Sequence, residues 1–509
     1  MGTAGTLEHQ ASTRKMLSSR NSNDSVEMQK RFRLSEKWIA VLFTVVASLG
    51  YLSIGSMVAW SSNAFVKVQG TASERNGELR LLENEEFSPN EKTSLAATPA
   101  LTAAVCSVVV YKLYPLAGTK LFMLTAAALM IGANFLLTFG TSFWYFCAGR
   151  LMAGISAGII TTLVPPYVDE FASKQYKPLL DAILYVQFAF GILIQLMSDQ
   201  IPITKLASLI GTIFPVFLFI GFLFMPESAR YLATTQQVSR ARSILRKTHT
   251  NEAFSAQVME NNLTNWQQPR FANVNLLESL RKLQNTRLVV PTLVLVVFQQ
   301  FVGAIPMMFN LSGIFNLTGS LLYPEYTAIC VAAIFTLSIP TYRLLCVKIG
   351  DYKLLVWSSL LMAVAMGGLG WHCHVQGITG HSGEHEHIPL VCFGVFVFLY
   401  AIGFQQVPWR WLDTIVEEEN ALPVRTIATC LSWVSLYICV RLLPFLFGMI
   451  GAGWLFWNIT IIALFAVLFV LIAIPNLDRS VVAGKSLVDC SGSSSSSSSS
   501  NLGTEENLV

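Results

Sequence analysis

Long apolar runs, separated by short polar intervals, occupy most of the chain after residue 37. A helix needs roughly 20 mostly apolar residues to cross the hydrocarbon core of a membrane, and about a dozen runs of nearly that length carry few charges. The predicted spans are Trp38–Trp60, Ser94–Tyr111, Leu121–Gly140, Phe143–Tyr167, Leu179–Met197, Leu206–Met225, Leu288–Leu311, Leu321–Leu345, Leu354–Trp371, Ile388–Trp409, Val424–Gly448 and Trp454–Ile474. The pattern therefore predicts an all-α membrane protein with about twelve transmembrane helices in two six-helix halves.

The polar intervals give the expected domain bounds. Residues 228–287 form the longest polar interval inside the chain and separate a first half, 38–227, from a second, 288–475. The tails, 1–37 and 476–509, are polar, and the second holds an unbroken serine run from Ser493 to Ser500. Such compositions cannot bury enough apolar area to fold, so we expect both tails to be disordered.

Composition and charge add the orientation. The chain is 53% hydrophobic and 13% charged, against about a quarter charged in soluble domains. The tail before Trp38 has seven basic and four acidic residues, the link 228–287 has nine and three, and the interval 66–93 has four and six. Because basic residues favour the cytoplasmic side, we predict a multi-pass protein, in the plasma membrane, with both termini and the link in the cytoplasm.

Several functional classes find no support. We see no phosphate-binding glycine loop, nucleophile elbow or metalloprotease helix, so we predict no enzyme, no catalytic residue and no cofactor. The basic link is explained by membrane orientation, without nucleic acid. Five of the seven histidines lie between His372 and His387; their spacing fits no fixed zinc site, and we expect a polar loop, with metal or pH modulation as the alternative.

Two motifs narrow the class of membrane protein. The sixth predicted span ends in P-E-S-A-R-Y-L, residues 226–232, and the fourth reads G-R-L-M-A-G-I-S-A-G followed by P-P-Y-V-D-E, ending at Glu170. These segments resemble the sugar-porter patterns P-E-S-P-R-[WY]-L and G-R-x-x-x-G-x-x-x-G with P-x-Y-x-x-E. The resemblance, to a family of the major facilitator superfamily, implies a transporter whose substrate site lies near the membrane midplane.

Amide and indole side chains are the candidate substrate ligands. A carboxamide both donates and accepts hydrogen bonds, and an indole offers a flat apolar face with one N–H donor, which suits an uncharged sugar. At positions resembling those of the family, or one turn away in the case of Asn310, the chain has Gln187, Gln299, Gln300, Asn310, Trp409 and Trp433. The alternative for any one glutamine is an interhelical hydrogen bond worth roughly 0.6 kcal/mol.

Charged residues near the span ends are the candidate gate residues. In sugar porters such charges pair when the inner gate is closed, and the resemblance assigns this role to Arg150, Glu170, Glu227, Arg230 and Lys348. The alternative is a set of helix-end charges that reach water without a gating role.

The chain also departs from the family pattern. Ile305 stands where the family has an asparagine, Asp351 where it has an arginine, and Gln405 and Gln406 where it has a glycine and a proline. Loss of charge pairs should alter the balance between inward and outward states. We also expect the tenth span to be stiffer and more polar at Gln405 and Gln406.

The sequence thus predicts a facilitative transporter of a hexose or small disaccharide such as trehalose. The first predicted span contains no Asp, Glu or His, and a buried ionisable residue would be the expected proton carrier, which favours uncoupled transport. Two alternatives stay open: a sugar receptor that does not transport, and a transporter of a less polar solute. The expected partners are a sugar and the lipid bilayer; the sequence does not determine an oligomeric state.

Overall fold

The computed structural model describes residues 38–62, 88–171, 176–201, 204–248, 263–264, 266, 286–318, 323–379, 387–416 and 420–473. Within these residues the chain is helical. Helices satisfy all backbone polar groups within one segment, as lipid requires. The helices are α1 (Trp38–Ser62), α2 (Pro89–Phe139), α3 (Phe143–Phe171), α4 (Lys177–Ser198), α5 (Thr204–Phe224), α6 (Ala229–Thr234), α7 (Val238–Thr248), α8 (Thr286–Phe301), α9 (Ala304–Met308), α10 (Leu311–Thr318), α11 (Pro324–Ser338), α12 (Thr341–Ile349), α13 (Asp351–Thr379), α14 (Ile388–Ile402), α15 (Val407–Ile415) and α16 (Ala421–Ala473).

The predicted number of spans is confirmed in the described part of the chain. Eight helices are long and apolar enough to cross a membrane, and α11 with α12, bent by 47°, makes a ninth span. Helices α2 and α16, of 51 and 53 residues, each join two spans across one non-helical glycine, Gly118 or Gly451. The shorter apolar helix Leu209–Phe224 completes the set of twelve.

Several spans are broken where the sequence predicted continuous helices. The seventh is interrupted at Gly303, which has a φ of 94°, and the tenth at residues 403–406. The eighth bends at Pro340, where the missing proline N–H weakens the ladder. Helix α13 continues to Thr379, so His372 and His374 lie in a helix rather than in the predicted polar loop; residues 380–386 lie outside the described residues.

Backbone contacts divide the chain into two units. Among the described residues, the first contains 38–60 and those from 101 to 266, and the second contains 61–62, 88–100 and those from 286 to 473. In the first unit, α1 and α4 approach closely, because a Cβ on Gly55 would lie 2.0 Å from the carbonyl oxygen of Phe188, and one on Gly191 2.0 Å from that of Leu52. Only glycine permits this backbone contact.

The second unit is built mainly on the long helices α13 and α16, which pack against each other, and on α8 and α14. It includes the end of α1, where Ser62 Oγ lies 3.1 Å from Ser312 Oγ and accepts from the Ser312 backbone N–H at 3.0 Å. Outward-facing positions of the spans are large and apolar, for example Trp357, Val364 and Leu468. This distribution suits helices that face lipid.

Candidate functional site

An amide and indole cluster lies in the second unit, where the C-terminal end of α8 meets the start of α15. The side chain of Gln299 bridges the two elements: its Oε1 accepts from Trp409 Nε1 at 3.1 Å, and its Nε2 donates to the Gln405 carbonyl at 3.1 Å. Gln299 is buried, with 3% of its surface exposed. Both ends of this amide are thus used to hold Trp409 and the break before α15 in place.

The neighbouring amide, Gln300, is only partly satisfied. Its Nε2 donates to Ser432 Oγ at 3.0 Å, whereas its Oε1 is buried without a hydrogen-bond partner in the described part of the chain. Ser432 precedes Trp433 on α16, and the Trp433 side chain is buried. An unpaired buried carbonyl oxygen costs about 1–3 kcal/mol, so a donor from a ligand would be stabilised here.

Two further predicted ligands lie elsewhere. Asn310 is exposed and follows α9, and its amide lies over Gly313, where a Cβ would be 2.3 Å from Asn310 Oδ1. Gln187 lies half-buried on α4 in the first unit. The structure therefore hydrogen-bonds Gln299 to Trp409, and Gln300 to Ser432, the residue before Trp433. Among the described residues, neither Asn310 nor Gln187 is hydrogen-bonded to Gln299, Gln300 or Trp409.

The site lacks the polar group that the family pattern would place at Ile305. This residue is buried in α9, between Ala304 and Pro306, both of which are buried as well. An apolar side chain cannot bind a hydroxyl by hydrogen bonding. A polyol would therefore need its hydrogen bonds from other polar side chains.

A charged side chain, that of Arg425, lies over the aromatic part of the site. The Arg425 guanidinium lies 6.0 Å from the centre of the Trp409 ring and donates from Nη1 to Asp413 Oδ1 at 2.7 Å. A cation over an indole is attracted by the ring quadrupole. Sequence reasoning assigned no role to Asp413 or Arg425, so the position of Arg425 over the Trp409 ring was missed.

In the first unit, the two signature motifs contact each other. Tyr167 donates its hydroxyl to the Pro226 carbonyl at 2.8 Å. The Glu170 carboxylate accepts from Ser228 Oγ at 2.5 Å and from the Ala229 backbone N–H at 2.7 Å. Ser228 is the N-cap of α6. Glu170, the acid that ends the fourth-span motif, therefore binds at the start of the helix that P-E-S-A-R-Y-L forms.

The two charged residues of P-E-S-A-R-Y-L, Glu227 and Arg230, each contact different groups. Glu227 Oε1 accepts from the backbone N–H groups of Lys120 at 3.0 Å and Ser228 at 2.9 Å. The Arg230 guanidinium lies 5.4 Å from the Trp266 ring centre. Glu170 and Glu227 thus meet at Ser228, while the guanidinium of Arg230 stacks on an aromatic ring.

Arg150 does not join this group. It lies 20 residues before Glu170 on α3, roughly 30 Å along a helix, and it is fully buried. Its Nη1 donates to the Met57 carbonyl at 2.8 Å, and its guanidinium lies 5.3 Å from the Trp60 ring centre. The structure therefore places Arg150 as a link between α3 and α1, away from Glu170 on the same helix.

Lys348 lies exposed in the last turn of α12, in the second unit. Close to it in sequence, Asp351 Oδ1 accepts from Arg410 Nη1 at 3.1 Å, from Tyr342 OH at 3.0 Å and from Cys346 Sγ at 2.7 Å. Sequence reasoning missed Arg410. An arginine directly after Trp409 is the signal that could have found it.

The described residues contain no group of three or more His, Cys, Asp or Glu side chains that could hold a metal. His374 packs its ring against Trp454, with 5.7 Å between the ring centres. Residues 380–386 of the histidine-rich segment lie outside the described residues, so the loop stays a prediction for these residues alone.

Comparisons with known proteins give the family. The family model described as "Sugar (and other) transporter" matches residues 21–480. The chain is 23% identical over 448 residues to the facilitated trehalose transporter Tret1 of Polypedilum vanderplanki, covering 88% of this chain and 86% of that protein. It is 25% identical over 460 residues to trehalose transporter 1 of Drosophila melanogaster, covering 89% of this chain but only 51% of the fly protein.

Solved structures agree on the fold. A partially occluded, inward-open form of the xylose transporter XylE from E. coli superposes with a TM-score of 0.67, at 18% identity, over 86% of this chain and 98% of that one. The XylE proton:xylose symporter bound to 6-bromo-6-deoxy-D-glucose gives a TM-score of 0.68, at 19% identity, over 84% and 94%. Since the family match runs through nearly all of the membrane region, the chain belongs to the family described as "Sugar (and other) transporter".

Proposed function

We propose that the protein is a facilitative, uncoupled transporter of a hexose or of a small disaccharide such as trehalose. The observation that carries the proposal is the cluster of Gln299, Gln300 and Trp409, in which a buried amide oxygen has no partner in the described chain. The names of the relatives from Polypedilum and Drosophila support trehalose as one candidate.

The chemistry of this cluster suits an uncharged polyol. Sugar hydroxyls donate to amide oxygens such as Gln300 Oε1, and the apolar face of a sugar ring packs on an indole such as that of Trp409. Gln299 holds the indole N–H and fixes the plane of the ring. Trp433, Asn310 and Gln187 are proposed as further ligands on the strength of the sequence pattern.

Arg150, Glu170, Glu227, Arg230 and Lys348 are proposed as gate residues. Arg150 would act in this role from its position between α3 and α1. The contact between the two signature motifs supports a role for Glu170 and Glu227 in one conformational state. A contact that forms in only one state shifts the balance between the states by the free energy that it contributes to that state. The bounds 38–227 and 288–475 for the two halves, and a plasma-membrane location with cytoplasmic termini, belong to the same proposal.

Uptake of labelled glucose and trehalose into proteoliposomes tests this proposal. The wild-type protein should show saturable uptake of at least one of them, and Gln300→Ala should lower the apparent affinity about tenfold or more, since it removes the buried amide. Gln237→Ala, at an exposed position after α6, is the matched control and should leave uptake unchanged.

Absence of flux above empty liposomes, from protein shown to be folded, would contradict a facilitator of these sugars. Saturable sugar binding without flux would instead favour a receptor. Equal uptake by Gln300→Ala and wild-type protein would remove Gln300 from the proposed site.

A further inference from the structure

The break between α14 and α15 carries two adjacent glutamines in an otherwise apolar span. Residues 403–406 interrupt the helix, and Gln405 and Gln406 are 6% and 5% exposed. A buried carboxamide is costly unless its donor and acceptor are both used. The hydrogen bonds of the two side chains therefore indicate what each one does.

Gln406 has a structural role. Its Nε2 donates to the Ile339 carbonyl at 3.1 Å and to the Ala401 carbonyl at 3.2 Å. Ala401 lies at the end of α14, and Ile339 lies between α11 and α12, where its carbonyl also accepts from the Tyr342 backbone N–H at 3.3 Å. Both carbonyls belong to helix ends, where backbone acceptors need partners from outside the helix. The Gln406 side chain satisfies two helix breaks at once.

Gln405 differs from its neighbour. Its backbone is used: the N–H donates to the Tyr400 carbonyl at 3.0 Å, and the carbonyl accepts from Gln299 Nε2 at 3.1 Å. Its side-chain Oε1, however, is buried and has no hydrogen-bond partner among the described residues. Packing within that part of the chain therefore does not explain why an amide oxygen stands at this position.

The position of Gln405 connects this oxygen with the sugar site. Its backbone is hydrogen-bonded to Gln299, which holds Trp409, and the amide next to Gln299, that of Gln300, has the same unpaired oxygen. Both oxygens require a donor, and a sugar hydroxyl is a donor. The apolar Ile305 supplies none of the hydrogen bonds that an asparagine would give there.

We propose that Gln405 is a specificity-determining residue whose Oε1 accepts a hydrogen bond from one hydroxyl of the sugar and so compensates for the apolar side chain of Ile305. This inference rests on the proposed function, because it assumes a hydroxyl-bearing substrate at the site of Gln299 and Gln300. It assigns recognition to a position where the family pattern has a glycine.

Binding measurements on purified wild-type protein and on Gln405→Met test this assignment. Methionine keeps the length of the side chain and removes the amide acceptor. The probes are whichever of D-glucose and trehalose the wild-type protein binds and its monodeoxy analogues, with affinity read by calorimetry so that a protein that does not transport is also tested.

For the wild-type protein, one monodeoxy analogue should bind about tenfold more weakly than the parent sugar. Gln405→Met should bind the parent sugar about tenfold more weakly than the wild-type protein does, and its affinity for that analogue should change little. The ratio of the two affinities should therefore fall close to one. The control, Gln406→Met, should lower thermal stability and leave the ratio at its wild-type value, because its partners are backbone carbonyls.

The outcomes separate the two proposals. If wild-type protein binds sugar and Gln405→Met leaves the wild-type ratio unchanged, the role of Gln405 is wrong while the sugar site stands. A uniform loss of affinity for all analogues would likewise overturn it, since this indicates a distorted site. If the folded wild-type protein binds none of the sugars, both the proposed function and this inference are wrong.

Discussion

Asp351 stands where the family pattern has an arginine, and its carboxylate is the centre of a polar group in the second unit. One oxygen, Oδ1, accepts from Arg410, Tyr342 and Cys346. The side chains of Arg410 and Asp351 are 33% and 12% exposed, so the pair is partly shielded from water. The acid at this position thus has a basic partner, Arg410, on α15.

A double-mutant cycle with Asp351→Asn and Arg410→Gln measures this pair. Each single variant leaves one partly buried charge uncompensated, so each should lower the midpoint of thermal unfolding. The double variant should lose less than the two singles together, with a coupling of about 1 kcal/mol after allowance for solvent screening. The pair of Asp413 and Arg425, whose atoms are 2.7 Å apart, serves as the comparison within the same unit.

Additive losses in the Asp351 and Arg410 cycle would show that the pair contributes nothing specific. In that case the Asp351 carboxylate would be held by two of its three donors, the Cys346 thiol and the Tyr342 hydroxyl. A cycle for Asp413 and Arg425 that does show coupling would establish that the method detects pairs in this protein.

At the scale of elements, the long helices α2 and α16 depend on glycine at one residue each. Gly118 has φ 71° and ψ 174°, and Gly451 has φ 78° and ψ 170°. Side-chain-bearing residues very rarely adopt these angles. The two positions differ in their surroundings: a Cβ on Gly118 would lie 2.7 Å from Tyr231 Cε1, whereas a Cβ on Gly451 has no heavy atom within 4 Å.

Gly451→Ala and Gly118→Ala therefore form a matched pair. The first should cost about 1–3 kcal/mol through backbone strain alone, and the second should cost more, because the Tyr231 ring must also move. We expect a larger fall in the midpoint of thermal unfolding for Gly118→Ala in detergent. Since Tyr231 belongs to the P-E-S-A-R-Y-L motif, sugar uptake by this variant should fall as well.

Equal losses of stability for the two variants would contradict the contact between the α2 break and Tyr231. Gly350→Ala provides a third comparison, since Gly350 has a φ of 85° and no heavy atom within 4 Å of a Cβ. It should behave like Gly451→Ala.

At the scale of the whole molecule, the sequence predicts the number and approximate position of the spans because lipid demands long apolar helices. The breaks inside the spans could not be predicted in the same way. Gly303 and residues 403–406 interrupt predicted spans whose composition did not indicate a break. The Gln406 amide at the second break donates to the nearby Ala401 carbonyl and to the Ile339 carbonyl at the bend of the eighth span. Tertiary partners decide these positions.

The candidate site was predictable as a set of residue types and only partly as an arrangement. Gln299, Gln300, Trp409 and Trp433 were found by their positions in the family pattern. The pattern could not show that Gln299 holds the Trp409 indole, that Arg425 lies over it, or that Gln405 has an unpaired oxygen. Arg150 was assigned by motif alone, and its actual neighbours, Met57 and Trp60, belong to α1 and depend on helix packing.

Transport without proton coupling is the last expectation, and it concerns the molecule as a whole. Helix α1 has no Asp, Glu or His along its length from Trp38 to Ser62, and a buried ionisable group would be the expected proton carrier. In proteoliposomes, sugar should therefore equilibrate to the external concentration and not exceed it. An inward pH gradient or a protonophore should leave the initial rate unchanged, and preloading with unlabelled sugar should allow exchange. Accumulation above the external concentration that a protonophore abolishes would contradict this expectation; Glu170, a buried acid on α3, would then be the first carrier to test, by Glu170→Gln.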